Sequence, residues 1–73
     1  MTTKQAEQYH RALKTIAKLE TVQAKQDLAY SKHIGNGDGI DFFTARITQI
    51  ARAVDLAENG YITASESLKM ILG

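Results

Sequence analysis

The chain has 73 residues with a formal net charge of +1, and it contains no cysteine, proline or tryptophan. This length allows one domain with a small core, so we treat residues 1–73 as a single domain. Without cysteine, the chain forms no disulfide, thiolate metal site or cysteine nucleophile. The opening residues 1–5 are polar and no apolar run reaches bilayer length, so we expect a cytoplasmic protein that does not enter membranes.

The charged residues are unevenly distributed along the chain. Residues 1–33 carry six basic and three acidic side chains, a net charge of +3. Residues 34–73 carry three basic and five acidic side chains, a net charge of −2. This asymmetry indicates a basic N-terminal surface that faces either acidic parts of an assembly or another acidic partner.

Residues 2–33 have the strongest periodicity and predict one long helix of about nine turns. Thr2 with Gln5 fits a capping box at its start. Lys32 and His33 suit the negative end of the helix dipole, and Gly35 suits the left-handed position that follows a helix. The pattern does not decide whether the helix is continuous through the polar residues 23–26.

The apolar residues of this helix recur at the first and fourth positions of heptads that begin at Tyr9. Leu13 and Ala17 lie beside this seam and widen it. Because a much shorter second helix cannot cover its full length, we expect the seam to mediate self-association into a homo-oligomer. Alternatively, its glutamines are simply exposed where the second helix ends. The predicted self-association seam consists of Tyr9, Ile16, Leu19, Gln23, Gln26 and Tyr30.

A row of basic side chains follows the opposite side of the same helix, mostly at seven-residue intervals. This basic ridge extends roughly 42 Å at 1.5 Å per residue. It fits an acidic protein surface or a phosphate backbone, or it is a solvated face that keeps the helix soluble. A single arginine and no interleaved aromatic residues disfavour nucleic acid. The ridge consists of Lys4, Arg11, Lys14, Lys18, Lys25 and Lys32.

The second half of the chain predicts two shorter helices. Residues 35–39 hold three glycines and predict a loop, followed by a helix over residues 42–59 with Asp41 as its N-cap. The expected core stripe of this helix is Phe43, Ile47, Ile50, Ala51, Val54 and Ala57. Thr63 and Glu66 predict a capping box for a short third helix that ends at Gly73. Its expected apolar face is Leu68, Ile71 and Leu72.

These elements predict an all-α fold. The long N-terminal helix packs antiparallel on the shorter second helix, and the short third helix folds back over the open end of this helical hairpin.

No residue pattern predicts catalysis. His10 and His33 lie 23 residues apart, with His10 expected at the surface, and no triad spacing or glycine-rich phosphate loop is present. Asp38 and Asp41 are close in sequence, but acidic residues in a glycine-rich segment are typical of turns and caps. We therefore assign no catalytic, cofactor-binding or metal-binding residue.

Residues 55–66 resemble an EF-hand calcium loop, with Asp55, Asn59, Gly60 and Glu66 at its positions 1, 5, 6 and 12. The resemblance implies calcium binding, although Ala57 stands at position 3 and supplies no oxygen. A degenerate calcium binder is thus one alternative function.

Residues 59–66 also resemble the helix–turn–helix part of ribbon-helix-helix repressors. The resemblance implies a DNA-reading strand at residues 40–43 and a DNA-binding dimer that uses the C-terminal half. The outward residues of that strand, Asp41 and Phe43, do not suit DNA. Both resemblances depend on a helix that ends at a glycine and is followed by a second helix with an N-terminal capping box. These common helix-end signals alone account for both resemblances.

The sequence thus favours a small non-enzymatic interaction module that binds a larger macromolecule. An adaptor fits this description, as does an inhibitor of the size that phages and other mobile elements often encode. We expect a protein partner with an acidic surface, with nucleic acid as the alternative.

Overall fold

The computed structural model describes residues 3–73, and every regular element in that range is a helix. Helix α1 covers Thr3–Ile34, α2 covers Gly37–Glu58 and α3 covers Ala64–Leu72. The predicted all-α fold is confirmed: α1 packs antiparallel on α2, and the short α3 packs against both. The molecule is a rod of 48 × 18 × 17 Å.

Helix α1 is continuous through residues 23–26 and ends close to the expected position. Gly35 has a positive φ of 71°, and the Asn36 N–H donates to the Ser31 carbonyl at 2.9 Å. A left-handed glycine that closes the last turn in this way is a common helix C-terminus. The capping box expected at Thr2 lies outside the described residues.

The start of α2 differs from the sequence-based prediction. Asn36, not Asp41, is the N-cap, and its side-chain oxygen accepts a hydrogen bond from the Gly39 N–H at 3.2 Å. The predicted loop at residues 35–39 is therefore wrong beyond its first two residues. Asparagine is among the strongest N-caps, and Asp38 then lies in the first turn, where the helix dipole favours an acid.

Gly39 allows this early start because it lies directly against the end of α1. A Cβ atom at this position would stand 2.6 Å from the Ser31 Oγ. As a result α2 has 22 residues against 32 in α1 and covers more of α1 than expected.

The core lies on a different face of α1 from the predicted seam. Its buried residues are Leu13, Ala17, Ala24 and Ser31. Ala17, Ala24 and Ser31 recur every seven residues, and each follows directly after a seam residue. One position along a helix is a rotation of about 100°, so the core face is turned by that angle from the seam. Leu13 and Ala17, expected only to widen the seam, are thus the center of the packing.

The core stripe of α2 is partly as predicted. Ile50 and Ala57 are buried, and Phe43, Ile47 and Val54 are half-buried. Ala51 is exposed, contrary to the prediction, whereas Ala53 is completely buried because α3 covers that side of α2.

Helix α3 begins with the predicted capping box: Glu66 N–H donates to the Thr63 hydroxyl and Thr63 N–H donates to the Glu66 carboxylate, both at 3.1 Å. It ends at Gly73, which has a φ of 82°. Ile71 is buried and Leu68 half-buried, as expected.

Two further side chains position α3 on the hairpin. Leu72, predicted to face the core, is exposed; the completely buried Ser67 takes a core position instead and donates from its Oγ to the Ala53 carbonyl at 2.6 Å. Arg46 on α2 donates to the Ile71 carbonyl and pairs with Glu20 on α1 at 3.5 Å. Arg46 therefore joins all three helices.

Candidate functional site

Helix α1 presents three distinct faces. The core face is buried against α2 and α3, the seam lies about 100° to one side of it, and the ridge lies about 100° to the other side. The seam and the ridge are thus both open to solvent, and they face largely away from each other.

All six ridge residues are exposed: Lys4, Arg11, Lys14, Lys18, Lys25 and Lys32. Within residues 3–73 the ion pair formed is Arg46–Glu20, so no ridge cation is paired with a carboxylate there. The ridge therefore presents a row of exposed positive charges along α1 that form no ion pair among the described residues.

The seam is exposed over most of its length. Leu19 and Tyr30 are 64% and 65% exposed, Tyr9, Gln23 and Gln26 are exposed, and Ile16 is half-buried against the core. Gln23 donates to Asp27 of the same helix at 3.1 Å. No seam residue is charged, although nine Lys, Arg, Asp and Glu residues lie elsewhere on α1. The exposed seam is therefore uncharged, with the apolar Tyr9, Leu19 and Tyr30 on either side of the polar Gln23 and Gln26.

Nine large hydrophobic residues are exposed within residues 3–73, and three of them, Tyr9, Leu19 and Tyr30, lie on the seam. Five of the eight buried hydrophobic residues in that range are alanines, and the other three are Leu13, Ile50 and Ile71. The heptad pattern identifies the seam residues, but it does not show that α2 packs beside them and leaves them exposed.

A groove runs between α1 and α2 on the side of the hairpin opposite α3. It has a volume of about 510 Å³ and no α3 residue lines it. Lys18 and Lys25 of the ridge stand on its α1 rim and Asp55 on its α2 rim. Its lining is completed by Ala17, Thr21, Val22, Ile50, Ala51 and Val54.

The histidines lie far apart. On one straight helix the 23 positions from His10 to His33 correspond to roughly 35 Å. His10 is half-buried beside the α2–α3 turn, not at the surface as predicted, and His33 is exposed. Among the described residues no group of three His, Cys, Asp or Glu side chains is positioned to hold a metal ion.

Neither family resemblance is matched by the geometry of its segment. Residues 55–58 are still helical, and the Glu66 carboxylate serves the capping box, so residues 55–66 do not adopt an EF-hand loop. Residues 40–43 are the second turn of α2, not the strand that a ribbon-helix-helix protein requires.

Comparison with known proteins finds no matching family model, no similar curated protein and no similar solved structure. Within residues 3–73 no helix is both long and apolar enough to span a bilayer.

Proposed function

We propose that this chain is a non-enzymatic interaction module that binds the acidic surface of a larger protein and acts as a homo-oligomer in the cytoplasm. The observation that supports it most is that nine large apolar residues are exposed within residues 3–73, three of them, Tyr9, Leu19 and Tyr30, on the seam. Such exposed apolar surface is costly in water and is typical of surfaces that bind proteins.

The positive charge of the ridge indicates a partner surface of negative charge. Six exposed cations that pair with no carboxylate within residues 3–73 favour an acidic surface, and their repulsion opposes contact between the ridges of two copies. The seam carries no charge and is therefore the face of α1 suited to a second copy. An adaptor or an inhibitor would use the two faces in this way.

Charge reversal on the ridge tests the partner-binding part of the proposal. We expect Lys14→Glu with Lys18→Glu to abolish recovery of a discrete protein partner from nuclease-treated extract of the source cell, because both new carboxylates would repel an acidic surface. Arg52→Glu with Lys69→Glu is the matched control, since it makes the same change of charge at exposed positions off the ridge.

Three results of this experiment would be informative. Partner recovery that survives the ridge variant but not the control would contradict the role of the ridge. Recovery of nucleic acid alone, lost in high salt, would favour binding to phosphate instead. If both variants recover the protein partner as well as the wild type does, the ridge is only a solvated face.

A further inference from the structure

We infer that the groove between α1 and α2 binds an amphipathic helix of the partner, and that this helix carries acidic residues along one edge. The inference rests on the proposed function and specifies the kind of structure that the ridge recognises.

The hairpin of α1 and α2 has two sides on which a third helix can pack. Two packed antiparallel helices leave a groove on each side, and a third helix fits either groove. In this molecule α3 occupies one groove with Ser67 and Ile71, and within residues 3–73 no helix covers the opposite groove between residues 17–25 of α1 and 50–55 of α2. A helix in the empty groove would complete a four-helix arrangement.

The side chains that line the groove suit a helix. Ala17, Thr21 and Ala51 are small, so the backbone of another helix can approach closely. Val22, which is 47% exposed, and the half-buried Val54 provide apolar contacts. Apolar residues at i, i+3 or i+4, and i+7 of a bound helix would meet this surface.

The two rims of the groove carry opposite charges. Lys18 and Lys25 lie two turns apart, roughly 10.5 Å along α1. Two carboxylates seven residues apart on a bound helix have the same spacing, so they can pair with both lysines. Asp55 on the other rim favours a basic residue on the opposite edge of that helix. The groove therefore selects a helix whose two edges have opposite charges.

A peptide selection tests this inference directly. The full-length protein is immobilised and used to select from a displayed library of helix-forming peptides, about five turns long, with random outward residues. We expect the enriched peptides to combine an apolar stripe with two acidic residues seven positions apart.

Variants of the protein then show where the peptides bind. Ala51→Arg fills the groove from an exposed position, so it should weaken the selected peptides at least about tenfold without affecting folding. Val22→Glu is a second groove variant, for use if the first loses its helical circular dichroism. Lys18→Glu with Lys25→Glu should weaken binding similarly, and Leu19→Glu on the seam should leave it unchanged.

Several outcomes would overturn the inference: no enriched peptide, enriched peptides without the acidic pair, or binding that survives both groove variants. If these occur while Lys14→Glu with Lys18→Glu still abolishes recovery of the natural partner, the proposed function stands and the groove is not its site. If the peptides behave as expected but the natural partner tolerates that ridge variant, the groove stands and the proposed function fails.

Discussion

At the scale of single residues, the connection between α1 and α2 depends on which glycine touches α1. Gly39 faces Ser31 so closely that a Cβ atom would clash with its side chain, whereas nothing lies within 4 Å of a Cβ atom built at Gly37. Ser31 is buried and has little room to move. Of these two glycines in the same helical turn, position 39 therefore has no room for a side chain, whereas position 37 has room for one.

We predict that Gly39→Ala destabilises the protein by about 1–3 kcal/mol, because the added methyl group overpacks the contact between the helices. Gly37→Ala is the matched control and should be neutral or stabilising by up to about 1 kcal/mol, since it restricts the unfolded chain without a clash. Urea unfolding followed by circular dichroism at one protein concentration measures both. Equal effects of the two substitutions would contradict the close contact.

This connection also illustrates what a sequence pattern leaves undecided. Three glycines in five residues predict a loop, and Asp41 is an acceptable N-cap, so the sequence supports a late start of α2. The actual start depends on whether residue 39 can lie against Ser31, which is a tertiary contact. By contrast, the cap of α3 is local: Thr63 and Glu66 satisfy each other's backbone groups, and their spacing predicted it correctly.

At the scale of elements, α3 is too short to be a stable helix without packing. Ser67 and Ile71 bury its inner face, and Arg46 binds the Ile71 carbonyl, one of the last carbonyls of α3 that lack a partner within the helix. The apolar character of Ile71 correctly predicted that it lies on the inner face of α3. The sequence could not predict Ser67, because a serine at a core position requires a carbonyl acceptor from another helix.

We predict that Arg46→Met destabilises the protein by about 1–2 kcal/mol, because the Ile71 carbonyl loses its charged donor and the partly exposed pair with Glu20 adds little. Hydrogen exchange should accelerate in α3 more than in α1. Arg52→Met, an exposed arginine on the same helix, is the control and should change neither quantity. Uniform acceleration over the whole chain would contradict a specific role in holding α3.

At the scale of the whole molecule, the fold class and the exposure of the ridge followed from the sequence, but the packing face of α1 did not. The series Ala17, Ala24 and Ser31 at seven-residue intervals is a weak signal beside tyrosine, isoleucine and leucine on the seam, so the larger residues were expected to define the core side. The helices pack through Leu13 together with these small residues, because small side chains allow close approach. The large residues are left exposed, which is the basis for proposing that the seam is covered by a second copy.

Sedimentation equilibrium of the wild-type chain and a seam variant is the most direct test of this central claim. We predict that the wild type is a dimer or larger at micromolar concentration. Leu19→Glu with Tyr30→Glu should give a folded monomer, because each carboxylate would be buried without a partner in the assembly. Thr44→Glu with Gln49→Glu adds the same charge at exposed positions of α2 and should leave the assembly intact. A wild-type chain that remains monomeric at all concentrations, or an assembly that survives the seam substitutions, would contradict it.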